Sequence, residues 1–237
     1  MLTRLSQLHD QAKKEKKKKL VLAAAHDENA LEAVHQAYKA GIIDAILVGN
    51  QERIKDIASN RSYNLKPYQI IHEPDVDKAA ALAVKMVRDK EADILMKGNL
   101  GTANLLRAVL NKEWGLRSGD LLSHLALFEI PAYHKIIGLT DAAMNVAPDL
   151  GGKTAIIKNA VDFLLKLGIK DPKVALLCAV ETVNESMPAT IDAALLSKMA
   201  ARKQIKNCII DGPLAFDNAI NKHSADHKGI ISDVAGD

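Results

Sequence analysis

Cysteine is almost missing from these 237 residues, and the two present, Cys178 and Cys208, sit far apart inside apolar runs. They form neither a disulfide framework nor a metal-ligand spacing. Aromatic residues are only 3% of the chain, and none lies in its lysine-rich stretch, so the stacking platform of a nucleic-acid binder is lacking. No apolar run approaches the ~20 residues of a membrane-spanning helix. The N-terminus has no long apolar segment of the kind a secretory signal needs. These absences predict a soluble, reduced, cytoplasmic protein with no nucleic-acid and no membrane partner.

What remains is a chain rich in core-forming residues, 48% hydrophobic and 26% charged, long enough for one large or two modest domains. The formal charge is +3, yet residues 13–19 hold six lysines and one glutamate, so the rest of the chain is slightly acidic. The lysines are expected in the exposed last turns of a first helix built on Leu2, Leu5, Leu8 and Ala12, where cations meet the negative end of its dipole.

Strand-like and helical patterns then alternate. Short apolar runs at residues 20–25, 42–49, 68–74 and 93–98 are each followed by helical spacing. The runs at 20–25 and 93–98 have the continuous apolar character of strands buried on both faces. Alternation implies parallel pairing and an α/β fold with helices on both faces of mostly parallel sheets. The middle differs: runs at 124–131 and 134–141 are separated by only Pro131-Ala132-Tyr133, too short for a helical crossover, which predicts antiparallel pairing. Two lobes are expected, residues 1–131 and 132–237. Alternation resumes with a helix over 151–168, a strand over 174–180, a helix from Pro188 to Lys203 and a strand over 208–212.

Ligands of parallel sheets bind beyond the carboxyl ends of strands, so polar residues at strand exits are the candidates. Lys97, Gly98, Gly101 and Thr102 join a strand to a helix start, where free N–H groups and the helix dipole suit a phosphate. Arg107, one to two turns on, offers a forked donor for phosphate oxygens. Gly151-Gly152-Lys153-Thr154 has the look of a P-loop end, but Ala147 stands where that motif needs glycine, which argues against a nucleotide triphosphatase. Asp141 and Asn145 follow one strand. Glu181, Thr182 and Asn184 follow another, and Asp211, Gly212 and Asp217 a third. Turn formation and helix capping are the competing roles for all these short polar side chains. No His, Cys or carboxylate spacing calls for a metal.

Taken in order, MKGNLGTANLLRAVL, TDAAMNVAPDL, IIKNAVDFLLKLGI, VETVNESMPATIDAALL and DGPLAFDNAI resemble the phosphate acetyl/butyryl transferases over nearly the whole chain. The VETVNESMP loop is similar to the butyryl branch; acetyl-transferring relatives have a Ser/Thr/Gly-rich loop there. The resemblance implies a two-lobed fold like that of isocitrate and isopropylmalate dehydrogenases. It implies the reaction acyl-CoA + phosphate ⇌ acyl phosphate + CoA in a cleft, coenzyme A being a substrate, with no cofactor and usually in a homodimer. Arg107 matches the family's phosphate-contacting arginine. Asp141 is implied in a supporting catalytic role, with Lys97, Gly98, Gly101, Thr102, Asn145, Glu181, Thr182 and Asn184 bordering the substrates. Family members continue past the point matching Asp237 with a Ser-Arg…Asp element, so a C-terminally incomplete chain is expected. The rival readings are an acetyl-transferring enzyme and a non-catalytic binder of CoA or phosphate.

Overall fold

A computed structural model describes residues 3–119 and 121–236, so Leu2 lies outside the described residues. The chain divides into two compact units, one of Ser6–Gly119, the other of the residues beyond it together with those ahead of Ser6.

The first unit opens on α1 (Leu5–Lys14), which buries no side chain. It continues with β1 (Lys18–Ala23), α2 (Glu28–Lys39), β2 (Ile43–Gly49), α3 (Gln51–Asn60), β3 (Gln69–His72), α4 (Val76–Arg88), β4 (Ile94–Lys97) and α5 (Thr102–Val109). The four strands are parallel in the order β3-β2-β1-β4. Side chains alternate across a strand, and the core obeys that period of two. Val21, Ala23, Ile46 and Val48 face the α4–α5 side with Ala79, Ala83 and Val84. Leu20, Leu22, Ala45 and Leu47 face the other side with Leu31, Val34 and Ile54. Both β1 and β2 are therefore covered on two faces, which explains their unbroken apolar runs.

Helix starts are set by short polar caps. Asp27 accepts from the Ala30 N–H at 2.8 Å, Asn50 from Arg53 at 3.1 Å, and Asp75 from Asp77 and Lys78, both at 2.9 Å. Each such cap is worth about 0.5–2 kcal/mol relative to alanine.

Two expectations need correction. Only the start of the lysine stretch lies in helix: Lys13 and Lys14 fill the last turn of α1 as expected, but the helix ends there, and Lys18 and Lys19 already open β1. The Lys19 amide donates to Asp93 at 2.9 Å, and Lys17 lies 3.7 Å from Asp44, so the stretch is drawn into the sheet. Nor is β4 buried on both faces. It is the edge strand beside β1, and Ile94 is 38% exposed. An apolar run shows that a strand has something to bury, not which neighbours it will find.

The second unit pairs β5 (Ala126–Phe128) with β6 (Ile137–Leu139) in antiparallel fashion, as the short Pro131 connection predicts. Then come α6 (Leu150–Lys166), β7 (Lys173–Leu177), α7 (Pro188–Ala201), β8 (Ile209–Leu214), α8 (Phe216–Ile220) and α9 (Lys222–His227). β7 and β8 are parallel, with α7 as the crossover. Their core joins Ile157 and Val161 of α6, Leu196 of α7, and Ile205 and Ile210. The whole is a mixed α/β structure with a mainly parallel main sheet.

Candidate functional site

The strand order of the first unit places β2 and β3 on one side of β1 and β4 on the other. The crevice outside the carboxyl ends of β1 and β4 is thus the topological switch point, where parallel sheets hold ligands. Here the chain leaving β4 runs tightly along the chain leaving β1. The Gly98 N–H donates to the Ala23 carbonyl at 2.8 Å, and Asn99 to that of Ala24 at 2.9 Å. A Cβ on Gly98 would stand 2.4 Å from the Ala24 carbonyl oxygen, so glycine is dictated by close backbone approach.

Lys97 does not extend as a free cation. Its ammonium donates to the Gly98 carbonyl at 3.2 Å and to that of Leu100 at 2.9 Å, folding back over its own turn with one N–H to spare. Gly101 then starts α5 with no side-chain cap. The first-turn N–H groups and the positive end of the helix dipole therefore stay open to an anion. Thr102 is exposed at this start, and Arg107 is exposed in the last turn. Among the described residues Arg107 has no hydrogen-bond or ion-pair partner. Five residues past Thr102, it stands about 7.5 Å along the axis, and helical side chains slope back toward the N-terminus. One loop and helix thus gather Lys97, Gly98, Gly101, Thr102 and Arg107.

Two neighbouring features were invisible in the sequence. Asn104 donates to Asp77 of α4 at 2.6 Å, tying the start of α5 to the start of α4. His26, 5% exposed beyond β1, accepts from the Asn50 N–H at 3.4 Å; burial, with Arg53 nearby, lowers its pKa and keeps it neutral.

In the second unit, Asp141 closes a knot. Its Oδ1 accepts from the amides of Ala143 (3.0 Å) and Met144 (2.8 Å), and its Oδ2 from His124 (3.1 Å) and the Asn145 side chain (2.6 Å). Asn145 also donates to the Leu122 carbonyl at 3.0 Å, and the Thr140 hydroxyl to that of His124 at 2.6 Å. Burial pushes the Asp141 pKa up, but these donors together outweigh it and hold the carboxyl well below the usual range. Four donors occupy the carboxylate, so it braces a loop and is a poor proton acceptor.

Glu181, past the end of β7, is likewise engaged. Its Oε1 accepts from Lys228 and from the Asn218 amide, each at 2.5 Å, and the Lys228 bond foremost lowers its pKa. Asn184 is a capping residue of the loop: its N–H donates to the Thr190 hydroxyl at 2.9 Å and its side chain accepts from Ser186 at 2.9 Å. Thr182 between them is exposed, with no bond to a described residue. Asp211 accepts from the Gly212 amide at 2.9 Å, and Asp217 lies 3.4 Å from Lys228. The glycine-lysine-threonine stretch at 151–154 is helical, within the first turns of α6, and Asp149 caps Gly152 at 2.7 Å. It is no P-loop. Lys153 instead pairs with Asp192 of α7 at 2.5 Å.

Among the described residues, no group of three His, Cys, Asp or Glu side chains could hold a metal ion, and no helix is long and apolar enough to cross a membrane.

A family model described as phosphate acetyl/butaryl transferase matches residues 4–81 and 71–237. A phosphate butyryltransferase of Clostridium acetobutylicum is 46% identical over 236 residues, covering 100% of this chain and 78% of the relative. One from Clostridium beijerinckii is 48% identical over 219 residues, covering 92% and 72%. Among solved structures, a branched-chain phosphotransacylase from Enterococcus faecalis V583 superposes with a TM-score of 0.81 at 30% identity, covering 93% of this chain and 76% of that one.

Proposed function

The chain belongs to the phosphate acetyl/butaryl transferase family, a phosphate acyltransferase that moves an acyl group between coenzyme A and phosphate, and from that premise we propose how its residues do so. The reaction we assign is butyryl-CoA + phosphate ⇌ butyryl phosphate + CoA. The names of the relatives at 46% and 48% identity support the butyryl substrate.

The single structural observation that carries the reading is Arg107. An exposed guanidinium with no partner among the described residues stands on α5, the helix whose N-terminus Gly101 leaves uncapped. Phosphate is a ready oxyanion nucleophile and a thioester an activated acyl donor. The chemistry therefore requires neither a metal nor a redox cofactor; coenzyme A enters as substrate. A phosphate oxygen forms a bond to the thioester carbonyl carbon, the C–S bond breaks, and the thiolate of CoA leaves and takes up the proton that hydrogen phosphate gives up.

What the protein must supply is placement and charge. Arg107 grips two phosphate oxygens with its fork. The open amides at Thr102, backed by the charge of Lys97, hold the phosphate group against the helix start. Gly98 lets the chain leaving β4 pack against the Ala23–Ala24 backbone, which sets the turn ahead of the helix start at Gly101. Asp141 and Asn145 brace the loop that follows β6, and Asp141 is a positioning residue here rather than a base. Glu181 and Asn184 shape the loop after β7, leaving Thr182 to meet the acyl donor.

We further propose a homodimer in the cytoplasm, on an isocitrate/isopropylmalate dehydrogenase-like fold.

The test is consumption of butyryl-CoA with and without phosphate, for the native protein and for Arg107→Lys. Thioester loss is expected only with phosphate. The lysine variant, lacking the fork, is expected to raise the KM for phosphate by about tenfold. Phosphate-independent loss, or an unchanged KM in the variant, overturns the assignment.

A further inference from the structure

Residues 181–187 run from the end of β7 to the start of α7 and are held at two places. At the far end stands Thr190, fully buried. Its hydroxyl accepts from the Asn184 N–H at 2.9 Å and lies 2.8 Å from the Met187 carbonyl, to which it donates. At the near end, Glu181 accepts from Asn218 of α8 and from Lys228, the residue that follows α9. Asn218 is wholly buried. Lys228 reaches a second carboxylate, Asp217, at 3.4 Å. Between the two holds, Thr182 and Val183 are exposed, Val183 at 58%.

The charges here are two carboxylates against one ammonium. Besides Lys228, Glu181 accepts from the amide of Asn218 and from its own backbone N–H, both neutral donors. Without Lys228, two anionic groups would face each other beside a loop that receives an anionic substrate. The carboxylate of Glu181 would also lose its charged donor and keep only the neutral bonds from Asn218 and its own N–H.

We propose that Lys228 is a positioning residue for acyl transfer. It fixes Glu181, and with it the 181–187 loop, and cancels carboxylate charge that would otherwise repel the phosphate-rich acyl donor. The inference rests on the reading that this loop meets acyl-CoA. Segment 216–228 contributes to the reaction through the loop, without touching substrate.

The experiment compares Lys228→Met, Lys228→Arg and Thr182→Val in the full chain, with butyryl-CoA as the varied substrate. Partly exposed ion pairs contribute little to stability, so the melting temperature of Lys228→Met stays near native. Its KM for butyryl-CoA rises about two- to fivefold, the scale of one such pair, with kcat nearly unchanged. The rise shrinks as salt screens the freed carboxylates. Lys228→Arg restores the native KM. If Thr182→Val raises that KM and Lys228→Met does not, the role of Lys228 is overturned while the loop reading stands. If neither changes it, the loop does not meet acyl-CoA and both fall. If Lys228→Met lowers melting temperature and kcat together, with no rescue by arginine, the lysine is merely structural and the inference fails.

Discussion

Asn104 and Asp77 lock two helix starts together: the amide nitrogen of Asn104 donates to Asp77 Oδ1 at 2.6 Å. The same side chain also guards the cap position, for its Oδ1 lies 3.0 Å from where a Cβ on Gly101 would be. Arg107 follows Asn104 by three residues on the same helix, so the rotation of α5 that suits Asp77 also sets the direction of the guanidinium. Asp77→Ala is expected to raise the KM for phosphate about two- to fivefold, the scale of one exposed hydrogen bond to a charged group, and to shift stability by no more than ~1 kcal/mol. Steady-state kinetics with phosphate varied, alongside a thermal melt, check both. A phosphate KM that stays native would mean that α5 is fixed by its apolar packing alone.

Gly98 is a stricter case. Its missing Cβ would meet the carbonyl oxygens of Ala24 at 2.4 Å and Ala23 at 2.9 Å, both backbone atoms of the neighbouring strand exit. Backbone cannot swing aside as a side-chain tip can, so accommodation must break the Gly98–Ala23 hydrogen bond. Gly98→Ala is expected to cost about 1–3 kcal/mol, as overpacking does, and to displace the Lys97 turn. Urea unfolding gives the cost directly. A native midpoint with native activity would refute the close approach.

Most of the α/β layout was legible because hydrophobic period acts locally. The apolar runs of β1 and β2, and the helical spacing that follows each, report their own states. The edge position of β4 was not legible, since strand order is a property of the whole sheet. Nor were α8 and α9, five and six residues long, which are too short for periodicity to declare itself. In the candidate site the division is similar. Arg107 stood out by its match to the family's arginine, while for Gly98 and Gly101 a tight turn was the competing role. For Asp141 and Glu181 the choice between a turn or capping role and a place at the substrates stayed open, because a sequence does not show which donors will come within reach. The partners that engage Glu181, Asn218 and Lys228, lie 37 and 47 residues away.

Asp141 carries a pH signature. Burial raises its pKa, but the bonds from Ala143, Met144, Asn145 and His124 bring it well below the ordinary 3.8. A carboxyl whose folded pKa is depressed contributes stability in full above its unfolded pKa, and loses it as pH falls toward the folded value. The stability advantage of the native protein over Asp141→Asn is therefore expected to be constant from pH 7 to about 5 and to shrink below about 4. At neutral pH the substitution leaves amide donors facing an amide and is expected to cost about 1–3 kcal/mol. Urea midpoints of both proteins between pH 3 and 7 measure this. An advantage that does not change with pH would show that the carboxylate is not the acceptor of those bonds.

His35 adds an acid-side instability of different origin. Its ring is 9% exposed, stacked on Tyr63 with centroids 4.4 Å apart, and its Nδ1 lies 2.9 Å from the Tyr68 hydroxyl. Burial pushes the Tyr68 pKa up to about 12, with Tyr38 adding to it, so that hydroxyl keeps its proton and shares one hydrogen bond with the imidazole. Burial also lowers the pKa of His35 beneath the ordinary 6.5, and the positive charge of Lys39 adds to this. Tyr38, Tyr63 and Tyr68 around the ring offer no negative charge to stabilise an imidazolium. Above pH 6.5 the ring is neutral whether folded or unfolded, and it contributes no pH dependence. Below 6.5 the unfolded chain binds a proton that the folded ring resists, so stability falls as pH drops toward the folded pKa. His35→Phe keeps the stacking and removes the titration, at the cost of leaving the Tyr68 hydroxyl without its imidazole partner. The variant is therefore expected to be less stable than the native protein at pH 7.5, by about 1 kcal/mol. Its midpoint should fall less between pH 7 and 5.5, the remaining slope coming from His26, which is also held neutral by burial. Parallel slopes for the two proteins would show that His35 takes up its proton within the fold as readily as in the unfolded chain.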